Sequence, residues 1–162
     1  ALTAPSPASY LRLKPSQWAG VFSVWGRETR EAAVRIVTGT AGLTDRSANM
    51  ELKPVDLAAN PYLALTGLIA AGLDGLTSSM PLPRETTGDP ALLPADQAAA
   101  AGVRRLPTSL SQAVRAFRAD ERLRAALGPA LADAVVAVRF GESDAVAELE
   151  DEQIASAYRW KY

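Results

Sequence analysis

The stretch MELKPVDLAANPYLALTGLIAAGLDGL, Met50–Leu76, changes its apolar period part-way along. With the two residues before it, its start alternates: Ala48, Met50 and Leu52 fall on one face, and Asn49, Glu51 and Lys53 on the other. An amphipathic strand over Ala48–Lys53 therefore aims Glu51 and Lys53 together at whatever covers its polar face. After Pro54 the alternation stops. Asn60 then offers an N-cap with Pro61 at the first helical position, and the run to Leu76 is apolar nearly all round. Such a helix is expected to be buried, with Gly67 and Gly72 letting neighbours approach closely.

Upstream, Val21–Trp25 (VFSVW) and Ala32–Val37 (AAVRIV) are rich in β-branched and aromatic residues, and the polar GRETRE between them predicts a hairpin. Gly39–Ser47 reads as loop. Its TGTAG run, from Thr38, lacks the Lys-Ser/Thr ending of a P-loop and the spacing of a dinucleotide fingerprint, so it is read as a turn. Downstream, Met80–Pro107 is punctuated by Pro81, Pro83, Pro90, Pro94 and Pro107, which predicts a long functional or mobile connection with a short helix near Pro94–Ala101. Ser109 and Gln112 have capping-box spacing, and Leu110, Ala113, Val114 and Phe117 form one helical stripe. Gly128-Pro129 separates this helix from the next, Pro129–Phe140. A last amphipathic segment is expected over Asp144–Trp160, with Gly141 as a kink or break. The predicted fold class is α+β: antiparallel strands followed by a helical carboxy-terminal region. Its parts are 1–59 (strands and loops), 60–79 (a buried helix), 80–107 (a loop) and 108–162 (a helical tail).

Composition removes several function classes. The 162 residues carry 17 Lys+Arg against 18 Asp+Glu, a net charge of −1 that supplies no field for gathering nucleic acid or an anionic membrane. Without cysteine or histidine, this chain has no disulfides, no thiolate or imidazole metal ligands and no His-dependent triad. Its chemistry must use carboxylates, Arg, Lys or backbone. No apolar run reaches the length of a spanning helix, and ALTAPSPASY has neither the basic start nor the apolar core of a secretory signal. A soluble chain in a reducing, cytoplasmic setting is expected. The opening Ala1, in place of Met, is consistent with a fragment or a processed chain.

Arg12, Arg30, Arg35, Arg46, Glu51 and Lys53 crowd the first third of the chain. Guanidinium forks bind phosphate and carboxylate bidentately, and a carboxylate among cations suits a divalent metal. The same pattern also describes a solvated sheet face with surface ion pairs, and spacing does not choose between them. Trp18 and Trp25 read first as core or interface aromatics.

Three motifs in order, YLRLKP (Tyr10–Pro15), WGRETREAAVRI (Trp25–Ile36) and MELKPVDLAANPYLALTGLIAAGLDGL, resemble the second half of the glutamine synthetase catalytic domain. There an Arg-Leu-x-Pro segment, an Arg-rich strand pair, a Glu-x-Arg strand and an Asn-Pro-Tyr-Leu helix follow one another. The GDP turn (Gly88–Pro90) and the RLPTSL helix start (Arg105–Leu110) extend the resemblance more weakly to the end of the chain. The resemblance implies ATP-dependent ligation of glutamate with ammonia or a primary amine, through a γ-glutamyl phosphate intermediate, with Mg2+ or Mn2+. It implies that Arg12 grips the glutamate α-carboxylate, that Arg30 sits over the transferring phosphoryl group and that Arg35 and Arg46 serve ATP. Glu51 matches a metal ligand. Lys53 stands where the family has an arginine that binds the acyl intermediate or its carboxylate.

Two departures stand out. Lys53 keeps the charge but loses the planar fork. Trp18 occupies the position of the family's flap glutamate, six residues after the motif arginine, and cannot accept a proton from an incoming ammonium. A bulkier nucleophile, such as a polyamine, ethanolamine or another monoamine, is therefore expected beside classical glutamine synthesis. By the resemblance, an amino-terminal β-grasp domain and the first half of the catalytic domain, with its other metal ligands, are absent from this sequence. The isolated chain is then expected to be inactive, and the complete protein to form a homo-oligomeric ring acting on small molecules. The alternative is a non-catalytic relative that retained the fold for interaction or regulation. A stand-alone globular domain of another role is a third reading.

Overall fold

The computed structural model describes residues 1–161. In chain order it contains α1 (Ser9–Arg12), β1 (Phe22–Arg27), β2 (Ala32–Val37), α2 (Thr44–Ser47), β3 (Asn49–Leu52), α3 (Pro61–Thr77), α4 (Ala95–Ala100), α5 (Leu110–Ala119), α6 (Glu121–Leu127), α7 (Pro129–Asp144) and α8 (Asp151–Tyr158), with a 3-10 turn at Pro90–Leu92. The α+β expectation is met. Two compact units share the chain: residues 12–54 with 82–106 hold the sheet, and residues 1–11, 55–81 and 107–161 hold the long helices.

The sheet has the order β1-β2-β3. β2 and β3 are antiparallel, with Val34 opposite Leu52, Arg35 opposite Glu51 and Ile36 opposite Met50. This register sorts the side chains by the period of two. Val34, Ile36, Met50 and Leu52 line an open apolar depression together with Leu82 and Leu106, while Arg35 and Glu51 are paired. The predicted hairpin is not formed, because β1 and β2 run parallel. A six-residue strand is about 17 Å long, and five extended residue steps reach about the same distance. The link from Arg27 to Ala32 can therefore carry the chain straight back to the start of β2 without a helix. The turn signal in GRETRE was real: Glu28, at φ 57°, reverses the chain there.

The connection after Met80 is fastened rather than loose. Thr86 N donates to Trp25 O (2.9 Å), Trp25 Nε1 donates to Pro83 O (2.7 Å) and Arg27 grips the Glu85 carboxylate. Gly26 is required here, since a Cβ on it would collide with Thr86 O. Further along, Ser23 N donates to Arg104 O and Leu106 N to Val21 O. The Arg105 guanidinium donates to Val21 O (2.8 Å) and Leu13 O (2.7 Å) and lies over the Phe22 ring. One side chain thus ties the loop before β1 to the strand itself. The expected short helix is present as α4.

In the helical unit the stripe read from sequence is the buried one: Leu110, Ala113, Val114 and Phe117 of α5. Phe117 joins Leu2, Ala132 and Val135 in the core, with Leu63, Leu123 and Leu127 packed around them. Ser109 Oγ accepts from Gln112 N, but Gln112 turns its own oxygen to Thr108 N, so only half of the predicted capping box closes. Asn60 caps α3 by accepting from Tyr62 N and Leu63 N.

The expectation of a buried helix over 60–79 is not met. No residue of α3 is buried, and Tyr62, Leu65, Ile69, Leu73 and Leu76 are exposed. A helix apolar all round has two flanks to cover, and the described residues of its unit cover one: Leu63 faces the core, Leu2 crowds Gly67 and Asp74 pairs with Arg122 at 2.7 Å. Gly72 faces open space. Gly141 does not break α7, which continues to Asp144. The segment expected over Asp144–Trp160 instead restarts at α8, where Glu150 and Gln153 form a reciprocal capping box. Among the described residues no helix is long and apolar enough to cross a membrane.

Replacing Arg105 with Ala removes two charge-assisted hydrogen bonds to otherwise buried carbonyls, and is expected to destabilise the chain by about 2–3 kcal/mol. Urea unfolding followed by circular dichroism checks this, and an unchanged midpoint would contradict it.

Candidate functional site

The site is built on the β2–β3 ladder. Because Arg35 and Glu51 are directly opposite, Arg35 NH1 meets Glu51 Oε2 at 3.2 Å, and Glu51 Oε1 lies 3.8 Å from Lys53 Nζ. Arg35 NH2 reaches back to Glu28 Oε2 at 3.0 Å, at the turn after β1. The other Glu28 oxygen accepts from Thr38 N (2.6 Å) and Thr38 Oγ1 (2.7 Å). The result is a continuous series, Thr38–Glu28–Arg35–Glu51–Lys53, with two acids and two bases. Thr38's two hydrogen bonds, with help from Arg35, hold the Glu28 carboxyl below the usual carboxylate range.

Exposure within this series is graded. The side chains of Arg35 and Lys53 are 17% and 14% exposed, against 48% and 42% for Glu28 and Glu51. The carboxylates are therefore outermost, and an approaching anion meets them before the cations beneath. Each terminal nitrogen of Arg35 still has a second N–H, whereas its Nε is buried without a partner among the described residues.

The remaining predicted site residues are less gathered. Arg30 is exposed; its guanidinium lies over the Trp18 ring, 5.5 Å from the centroid, and makes no hydrogen bond or ion pair with another described residue. Arg46 is on α2, exposed, in the excursion between β2 and β3, and has no bond to the charged series. That excursion is a closed turn, as read from sequence: Ser47 Oγ accepts from Thr40 N and donates to Leu43 O. Arg12 ends α1 with an exposed side chain.

Three residues of the site were missed. Glu28 and Thr38 are joined by two hydrogen bonds across ten residues, a pairing that no local pattern announces. Glu31, between Arg30 and the buried Ala32, reads as a surface acid but is 5% exposed and accepts from Trp18 N at 2.6 Å.

Divalent-metal binding by these residues alone does not fit. Both Glu51 oxygens face a cation, and no three His, Cys, Asp or Glu residues gather among the described residues. Glu28 and Glu51 alone fall short of the roughly six oxygen ligands that such an ion takes.

The family model for the glutamine synthetase catalytic domain matches residues 1–158. The chain belongs to the glutamine synthetase family. It is 72% identical over its whole length to the gamma-glutamylpolyamine synthetase GlnA3 of Streptomyces coelicolor, covering 35% of that protein. It is 31% identical to type-1 glutamine synthetase 1 of Dictyostelium discoideum, over 94% of this chain and 29% of that one. Among solved structures, a glutamine synthase homologue superposes with a TM-score of 0.80 at 32% identity, covering all of this chain and 35% of the other. Apo GmaS gives 0.71 at 30% identity, over 93% and 32%. The chain thus spans about a third of the length of these glutamine synthetase relatives.

The lowered pKa of Glu28 has a definite sign. Between its folded and unfolded values the unfolded chain binds more protons, so the Glu28 contribution is present above the usual carboxylate range and is lost as pH falls through the lowered value. Glu28→Gln should flatten the acid side of the melting temperature against pH, with Thr38→Val doing so in part. An acid limb unchanged in both variants would contradict the assignment.

Proposed function

We propose that this chain is part of an ATP-dependent ligase that joins the side-chain carboxylate of glutamate to a primary amine, with a polyamine as the favoured nucleophile. The observation that carries this reading is Trp18. By the family resemblance it stands where ammonia-using members carry the proton-accepting flap carboxylate, and its indole is exposed with Arg30 stacked against it. The 72% identity to a chain named for polyamine ligation supports the same choice.

In the reaction proposed, a γ-carboxylate oxygen of glutamate attacks the γ-phosphorus of ATP and ADP leaves. The amine then attacks the acyl carbon of γ-glutamyl phosphate, inorganic phosphate leaves and the amine nitrogen loses a proton. Both steps concentrate negative charge on phosphoryl oxygens, which fixed cations offset. Arg30, whose donors make no hydrogen bond with another described residue, is assigned to the transferring phosphoryl group. The remaining N–H groups of Arg35 are assigned to the nucleotide phosphates, with Arg46 nearby on the ATP side. Arg12 and Lys53 are assigned to glutamate and its acylated form, and Glu51 to one ligand position of a Mg2+ or Mn2+ ion. The outward carboxylates support that last assignment, since they favour a cation as the first group bound over Arg35. Indole, lacking a base, leaves proton removal to water or to a group outside this chain, and its apolar face suits the methylenes of a polyamine.

One observation favours the non-catalytic alternative: the charged series is internally balanced, as a structural ion-pair network would be. ADP release by the full-length protein with glutamate and a panel of amines separates the two readings. We expect turnover with polyamines above that with ammonia, and an ATP-dependent rise in melting temperature with Mn2+. Neither signal would be seen from a non-catalytic protein. Trp18→Glu should shift the ratio of polyamine to ammonia kcat/KM toward ammonia by about 10-fold or more; an unchanged ratio would remove Trp18 from amine selection. The complete protein is further proposed to be a homo-oligomeric ring, which light scattering would show as a mass several times that of one subunit.

A further inference from the structure

Glu31 is the only charged residue buried among the described residues. One oxygen accepts from Trp18 N at 2.6 Å, and the other is shut away from solvent with no hydrogen-bond partner among the described residues. A half-satisfied buried carboxylate is costly, and an apolar residue would be the cheaper choice beside Ala32 and Ala33 if packing were its only role. The group it holds explains the choice. Trp18 sits at φ 56°, between Ser16 at φ 55° and Gly20 at φ 65°, in a loop of repeated left-handed turns that side chains other than glycine disfavour.

That loop is pinned at each of these three residues. Ser16 Oγ donates to Asp89 Oδ2 at 2.7 Å. At Gly20 a Cβ would lie 2.6 Å from Lys53 Cβ and 2.7 Å from Ala32 O, so the backbone runs directly over β2 and the end of β3. Between them, Glu31 supplies the charge-assisted bond to the Trp18 amide. The neighbouring residue, Arg30, lays its guanidinium over the Trp18 ring. Two consecutive residues thus hold one tryptophan by its backbone and by its side chain.

We propose that Glu31 is a positioning residue: by fixing the Trp18 backbone it sets the indole as a rigid wall for the amine substrate. This deepens the ligase reading above and rests on it. It makes Glu31 a determinant of amine selection without contact to the amine.

The test uses the full-length enzyme and the variants Glu31→Ala and Glu31→Gln. Glu31→Ala should raise KM for the polyamine by about 10-fold or more while KM for ATP and glutamate stay within about 2-fold. Glu31→Gln keeps an acceptor oxygen for the Trp18 amide and should recover most of the polyamine KM. Hydrogen exchange over residues 16–20 should speed up in Glu31→Ala and remain near wild type in Glu31→Gln. Unchanged exchange in Glu31→Ala overturns the proposal whether or not the protein is an enzyme. Equal rises in all three KM values, or parallel losses in both variants, assign Glu31 a general structural role and also overturn it. If the wild type turns over no amine, the ligase reading fails separately, and the exchange data still decide whether Glu31 holds Trp18.

Discussion

Arg35 and Glu51 face each other across β2 and β3, and that single register fixes what each side of the sheet presents. A slip of β3 by one residue would turn Glu51 and Lys53 toward the apolar depression and carry Met50 and Leu52 to the side of Arg35 in their place. The pairing also determines where the turn after β1 must lie, because Glu28 reaches Arg35 from there and is in turn held by Thr38. Gly20 completes the arrangement by letting the Trp18 loop cross close to Lys53 and Ala32. Register, turn and loop crossing are therefore one constraint seen at three places.

The charged series is better described as preorganisation than as stability. Its carboxylates are about half exposed, where ion pairs contribute little to folding. Its geometric effect is larger: Arg35 is held by two carboxylates from different elements, which limits its rotamers and fixes where its remaining donors point. The order in depth matters equally. Cations lie beneath and acids above, so a polyphosphate can approach Arg35 favourably only with a cation between it and the carboxylates, or after those side chains move.

Much of this was legible because period and capping are local. The alternation through Met50 and Leu52, the Asn60–Pro61 helix start and the Leu110–Phe117 stripe each depend on neighbours a few residues away, and each appears where expected. The parallel run of β1 beside β2 was illegible, since the length of an extended link can imitate the turn of a hairpin. The burial expected of α3 and the unread burial of Glu31 have one cause. The apolar surface of α3 identifies a helix that could be covered but not what covers it, and the charge of Glu31 conceals that the Trp18 amide lies above it. The roles of the charged residues rest on resemblance and not on local pattern; the geometry gathers Arg35, Glu51 and Lys53 and stacks Arg30 on Trp18, while Arg46 stands apart on its own helix.

Activation of a carboxylate is the chemical act for which this face is proposed to exist, and it leaves an isotopic record. Glutamate carrying heavy oxygen in its side-chain carboxylate, given to the full-length protein with ATP and a polyamine, should transfer one labelled oxygen to each inorganic phosphate released. Mass spectrometry of that phosphate is the most direct test. Phosphate free of label, with amide product formed, would mean that the carboxylate is never phosphorylated and that these cations serve some other purpose.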